Sequence, residues 1–251
     1  IMICILTIAV GFIAVHFFKM LRLYLVLMEH RISFGRFILL YLRTTFINLI
    51  IPFKLGELYR IEEIARVTKI WQVGFLSVLV DRFFDTLALL CVLLPLDLIL
   101  RGGISVITIV FLVALFVIAL VYLAIPASYT YLNRYLIMRK TSGRALVALR
   151  GLDIVKSWYD FTHELITGRS ALIVAASFLG WGAEIITLRA LSIWMHISFG
   201  LGDFASYIEA VLLKGESSLL ETYTRMGAIA LLILTILGYV SYLLYHRKER
   251  A

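Results

Sequence analysis

Arg43, Asn48, Pro52, Lys54, Gly56, Glu57 and Arg60 crowd together at the end of an apolar run, and Asp81-Arg82-x-x-Asp85 opens a later one. The chemistry these residue types can do is anion binding. Lys54 offers a point charge, and Arg60 a planar fork that meets a phosphate with two parallel hydrogen bonds. Pro52 has no amide hydrogen and ends helical pairing, while Gly56 lets backbone approach closely, so the turn between them can aim free amides at an anion. Glu57 precedes Arg60 by three residues and Asp81 precedes Asp85 by four, spacings that put each pair on one helical face. Glu57 is thereby expected to orient Arg60, and Asp81 or Asp85 to neutralise Arg43 or Arg82. No cofactor or metal is expected. His16, His30, His163, His196 and His246 are dispersed, and a transferase would have to use Glu57 or Asp81 alone as its base.

The elements that position these residues follow from composition. Hydrophobic residues make up 62% of the 251-residue chain and charged residues only 16%, against about 25% charged in a soluble domain. Apolar runs at 1–18, 71–100, 104–126, 170–195 and 226–245 approach or exceed the roughly 20 residues that cross a bilayer core as helix. The fold class is therefore all-α: a polytopic membrane helical bundle of about five spans, with residues 1–251 as a single transmembrane domain. The net charge of +8 sits in loops between apolar runs, where membrane topology and anionic headgroups account for it and nucleic acid does not. Cys4 and Cys91 fall inside apolar runs and are expected as packed free thiols. The chain begins at Ile1 without the pattern of a signal peptide, so a segment upstream is expected.

Basic residues then fix the topology. Residues 19–36 carry Lys19, Arg22, His30, Arg31 and Arg36 against Glu29 alone, and 128–169 and the tail from His246 are also rich in basic side chains. All three are expected in the cytoplasm, which makes the chain a multi-pass protein of the cell membrane with a cytoplasmic C-terminus. Within 128–169, residues 144–166 set Ala148, Leu152, Val155 and Tyr159 against Arg150, Asp153, Ser157, Asp160 and Glu164, the pattern of an interfacial helix lying flat. With both flanks inside, the run at 37–53 cannot cross. It is expected as a cytoplasm-facing re-entrant hairpin near 37–60, which needs a protein-lined or watery cavity around its tip. By the same counting 199–222 begins and ends outside and is expected as a second partial insertion, the broken-helix arrangement of transporters.

Charges at mid-bilayer cost about 2.5 to 3.5 kcal/mol on insertion scales, so they pair or line a wet path. Asp81, Arg82 and Asp85 fit either a lock between helices or a wall of such a path. Asn48 fits an interhelical bond or a ligand. Glu184 is expected to face the cavity and Arg189 to snorkel outward. Tyr129, Tyr131, Trp158, Tyr159 and Trp181 read as interfacial anchors or packing.

At Asn48, Pro52, Lys54, Gly56, Glu57, Arg60, Asp81, Arg82 and Asp85 the chain resembles the lysylphosphatidylglycerol synthase transmembrane family, a flippase-like membrane domain also found as stand-alone proteins. The similarity runs from about residue 15 to 195 and aligns the first run with the family's second span. Gly215-Glu216-Ser217-Ser218 is the nearest counterpart to the family's Pro/Gly-rich turn before the last spans. No segment of the chain matches the soluble aminoacyl-transfer domain of bifunctional members, so lysine transfer is not expected of it. The resemblance implies translocation or binding of a phospholipid or lipid-linked saccharide through a polar cavity, with the phosphate held by Lys54 and Arg60. Its partners would be anionic phospholipid or a polyprenyl-phosphate-linked substrate, with a homo-oligomer as a further option. The competing readings are a membrane transferase acting on a lipid headgroup and a structural subunit of a glycosyltransferase or polymer synthase.

Overall fold

In lipid each backbone amide must find its partner within its own segment, so long apolar runs have little choice but helix. The computed structural model describes residues 2–30, 32–51, 55–139, 143–213 and 217–248, and among these forms nine α-helices and no strand. They are α1 (Met2–Leu27), α2 (Phe34–Ile50), α3 (Gly56–Thr68), α4 (Trp71–Leu96), α5 (Val106–Arg139), α6 (Gly143–Ile166), α7 (Ser170–Trp194), α8 (Phe204–Leu213) and α9 (Ser218–Lys248). Among the described residues five stretches are long and apolar enough to cross a membrane: Ile8–His30, Trp71–Arg101, Val106–Met138, Ser170–Trp194 and Ser218–Val240. These are the five spans read from hydropathy, with shifted ends. The polytopic helical bundle is the observed fold.

The shifts matter for function. The first helix does not stop at residue 18 but runs through Leu27, so Lys19 and Arg22 lie inside a span rather than in a loop. α5 continues to Arg139, and α6 packs back on it and on α4, with Tyr122 and Tyr159 rings 4.8 Å apart and Phe75 and Trp158 rings 5.6 Å apart. The side of α6 that docks carries Ala145, Trp158 and Leu165, while Ala148 and Val155 are exposed. Of the apolar stripe read from sequence, Val155 and Tyr159 line an apolar pocket between α4, α5 and α6, and Leu152 is half-buried. Residues 218–222, expected within a separate insertion, are the first turns of α9.

Helix directions follow from named contacts. α1 and α7 form the most extensive pair and run antiparallel: Lys19 meets Glu184, Arg22 meets Ser177, and Arg169 reaches Glu29 and the Leu25 carbonyl. α4 also opposes α1, since Val26 packs with Leu76 and Val80 while Arg22 reaches Asp81 and Asp85. α2 starts where α1 ends, with Tyr24 against Phe34 and Phe37, and descends until Tyr41 meets His16. α3 then retraces α2: Glu57 opposes Asn48, Arg60 opposes Thr44 and Thr45, and Glu63 opposes Arg43. The two arms are thus antiparallel, α2 packing on α9 and α3 on α4. α8 enters from the other end, where Gly202 approaches Leu100 and Arg101 donates to Ser206, and buries Phe204 against Trp181.

Pro95 sits inside α4 and the helix closes in a wider turn at Asp97–Arg101. There the buried Asp97 carboxylate caps α5, its Oδ2 accepting from the Ser105 amide at 2.9 Å, Ser105 Oγ at 2.6 Å and Thr108 Oγ1 at 2.7 Å. Asp97→Ala leaves these donors buried without their acceptor and is expected to lower stability by about 1–3 kcal/mol. Asp97→Asn keeps an acceptor oxygen and should cost less, an ordering that thermal unfolding in detergent would check.

Candidate functional site

A cavity of about 270 Å³ opens where the hairpin tip meets the middle of the bundle. Its walls come from α1 (Phe12, His16, Lys19), α2 (Tyr41, Thr45, Asn48), α3 (Arg60), α4 (Asp81, Arg82), α7 (Glu184), α8 (Tyr207) and α9 (Tyr223, Thr224, Gly227), with apolar residues between them. Lys19 and Glu184 lie near the centre of their spans, Ile8–His30 and Ser170–Trp194. The cavity is therefore polar at the depth where polarity costs most.

The hairpin is built to bring its own polar groups there. Gly56 lies so close to α2 that a Cβ on it would sit 2.3 Å from the Asn48 Cα. That approach lets Asn48 Nδ2 donate to Glu57 Oε1 at 3.0 Å. Glu57 Oε2 accepts from Arg60 Nη1 at 3.3 Å, so Glu57 orients Arg60 as the i, i+3 spacing predicts. Arg60 is 3% exposed and also donates to Thr44 Oγ1 at 3.4 Å and Thr45 Oγ1 at 3.1 Å. These bonds use three of its five N–H groups and leave two.

Beside the hairpin, two arginines and two aspartates form a closed box. Arg22 Nε and Nη1 donate to Asp81 Oδ1 and Asp85 Oδ1, both at 2.6 Å, while Arg82 Nη2 reaches Asp81 Oδ2 at 2.8 Å and Arg82 Nη1 reaches Asp85 Oδ2 at 3.3 Å. Trp181 Nε1 donates to the Asp85 carbonyl at 3.1 Å and brings α7 in. The box is a lock between α1 and α4, and through Asp81 and Arg82 it is also a wall of the cavity. Arg82 Nε stands 3.8 Å from Glu57 Oε1 and joins the box to the hairpin. On the opposite wall Lys19 Nζ pairs with Glu184 Oε2 at 2.7 Å and lies over the Trp181 ring, 5.3 Å from its centroid. Among the described residues the paired groups are thus four cations (Lys19, Arg22, Arg60, Arg82) and four carboxylates (Glu57, Asp81, Asp85, Glu184). Such mutual pairing is how buried charge is tolerated.

Of the residues singled out from sequence, Asn48, Arg60, Asp81 and Arg82 line the cavity, and Gly56, Glu57 and Asp85 support those four. Arg43 does not join them. Its side chain is 58% exposed and pairs with Glu63 at 3.6 Å over the Tyr59 ring, so neutralisation of Arg43 by Asp81 or Asp85 is corrected. Five residues from Asn48, it points about 140° away around α2, where α3 offers Glu63 instead. Lys54 and Pro52, and Gly215 and Glu216 of the later turn, lie outside the described residues. Glu184 faces the cavity, whereas Arg189 donates to the Phe199 carbonyl rather than snorkelling freely. Cys91 is an exposed thiol on the bundle surface, not a packed one, and the Cys4 side chain is outside the described ones. Among the described residues no three His, Cys, Asp or Glu side chains gather as metal ligands do.

Sequence reading missed Lys19, Arg22, Tyr207 and Tyr223. The apolar run continues past the first two, through Leu23 to Leu27, but their charge outweighs it and reads as a loop. Tyr207 and Tyr223 carry no local signal, since only the folding of α8 and α9 against α1 brings them to the cavity.

A protein-family model described as Lysylphosphatidylglycerol synthase TM region matches residues 1–220. No curated protein and no solved structure matches the chain.

Proposed function

The chain belongs to the lysylphosphatidylglycerol synthase transmembrane-region family, and from that membership we propose that it translocates a lipid by passing the headgroup through the polar cavity while the acyl chains stay in the bilayer. The observation that carries the reading is the cavity itself, in which Asn48, Arg60, Arg82, Lys19 and Glu184 hold polarity near mid-span. A bundle that needed only stability would be better served by apolar packing, since replacing buried ion pairs with hydrophobic side chains is often neutral or stabilising.

In this proposal α2 and α3 form a re-entrant hairpin from the cytoplasmic face of the cell membrane. Support comes from the antiparallel return of α3 along α2 and from the arrival of Asn48, next to the tip, at the level of Lys19 and Glu184. The segment between α1 and α2, with His30, and the C-terminus would share that cytoplasmic side. The substrate is a phospholipid or lipid-linked saccharide whose phosphate is held by Lys54 and by the two uncommitted N–H groups of Arg60. Asp81, Arg82 and Asp85 with Gly56 and Glu57 keep the binding surface rigid.

In proteoliposomes carrying an acyl-NBD phospholipid, dithionite bleaching reads the rate at which lipid exchanges leaflets. Loss of one charge-assisted hydrogen bond is worth about 1.5–3 kcal/mol, so Arg60→Ala and Lys54→Ala should each slow exchange by about ten- to a hundredfold. Wild-type rates in both folded variants would remove the phosphate site and the transport reading built on it.

A further inference from the structure

The end of the cavity opposite Arg60 is built differently, and we infer that it selects a single neutral, hydroxyl-rich headgroup, the size of one sugar or a glycerol unit. The inference rests on the lipid-translocation reading and names the substrate class for the same site. Four observations carry it. The first is size: about 270 Å³ lies just under the roughly 300–1,000 Å³ of ordinary ligand pockets. One compact headgroup fits, and an oligosaccharide does not.

The second is the state of the charges. Lys19 and Glu184 are paired at 2.7 Å, and Glu184 is 6% exposed. A ligand ammonium could take the buried carboxylate only by displacing the half-buried Lys19 from its partner inside a span, which costs the Lys19–Glu184 pair. A hydroxyl asks for no such exchange. It donates to a remaining lone pair of Glu184 and accepts from a remaining N–H of Lys19 while the ion pair stays intact.

The third is a pair of uncommitted hydroxyls. Tyr207 and Tyr223 are 6% and 9% exposed, line the cavity, and have no hydrogen-bond partner for their hydroxyls among the described residues. A phenol buried this far normally finds a partner. Each can donate and accept at once, which is what a polyol requires and an ammonium, donor only, does not use fully. The fourth is the apolar surface between them. Phe12 stands edge-on to Tyr223 with centroids 5.9 Å apart and lines the same wall, offering a surface for the C–H face of a sugar or glycerol. Phosphate at the arginine end and hydroxyls at the tyrosine end match a phospholipid with a polyol head.

The test compares four acyl-NBD lipids in proteoliposomes of otherwise constant phosphatidylcholine composition. Phosphatidylglycerol and phosphatidylinositol carry polyol heads, phosphatidylethanolamine an ammonium, and phosphatidic acid the phosphate alone. The polyol lipids should exchange fastest. Tyr207→Phe and Tyr223→Phe keep the ring and remove the hydroxyl, and each should slow the polyol lipids by about 2- to 10-fold while leaving phosphatidic acid unchanged. Equal rates for all four lipids, an advantage for phosphatidylethanolamine, or unaltered ranking in both variants overturns the inference. Arg60→Ala in the same assay separates the two levels. If it slows every lipid alike, the translocation reading stands whatever the ranking; if wild type moves none of the four, that reading falls and takes this inference with it.

Discussion

Arg22→Met is expected to destabilise the protein by about 3–5 kcal/mol, the usual result of removing one partner from a buried ionic network. Arg22 is 1% exposed and donates to both Asp81 and Asp85. Without it two carboxylates share Arg82 alone, in a place that water does not reach freely. Because Trp181 donates to the Asp85 carbonyl, tryptophan fluorescence during thermal unfolding reads the damage where it occurs. Adding Asp85→Asn to Arg22→Met removes one excess negative charge and should recover part of the loss. Arg43→Met removes an exposed arginine at 3.6 Å from Glu63, which keeps Arg66 at 3.2 Å, and should cost no more than about 1 kcal/mol. An Arg22→Met protein that unfolds at the wild-type temperature would show that the box is not a lock.

The contrast between Arg22 and Arg43 also marks what sequence could and could not reveal. Hydropathy located all five spans because a run of apolar side chains has one low-cost fate in lipid, and local spacing gave the Glu57–Arg60 pair because i, i+3 geometry is a property of the helix itself. The partner of Asp81 and Asp85 was not legible in the same way. Arg43 and Arg22 are both single arginines near apolar residues, and only the antiparallel packing of α1 on α4 decides between them. Basic residues also carry two meanings in a membrane chain, topology signal and buried counter-ion. Lys19 and Arg22 fell to the wrong one because their span ends later than their charge suggested. The turn at 51–55 was read from Pro52 and Gly56, but the reason Gly56 is needed became visible only with Asn48 in place against it.

That reason leads to the second large effect. Gly56→Ala puts a methyl carbon 2.3 Å from the Asn48 Cα and 2.6 Å from its Oδ1. Backbone cannot yield as a flexible side chain does, so α2 and α3 must part at their tip, at an overpacking cost of about 1–3 kcal/mol. Parting them stretches the 3.0 Å Asn48–Glu57 bond, and Glu57 no longer holds Arg60 toward the cavity. Gly74→Ala provides a matched comparison, since its Cβ would meet the Ile61 carbonyl oxygen at 2.3 Å, between α3 and α4 and not at the Asn48–Glu57 contact. Gly182→Ala in α7 meets nothing within 4 Å and should gain about 0.5–1 kcal/mol from the better helix former. Below the unfolding midpoints of all three, only Gly56→Ala should lose lipid exchange by tenfold or more, the loss assigned above to Arg60→Ala. Wild-type exchange in a Gly56→Ala protein whose stability had dropped as expected would falsify the coupling between the close approach at the tip and the orientation of Arg60. The hairpin would then be a packing device, and the phosphate would have to be held elsewhere in the cavity.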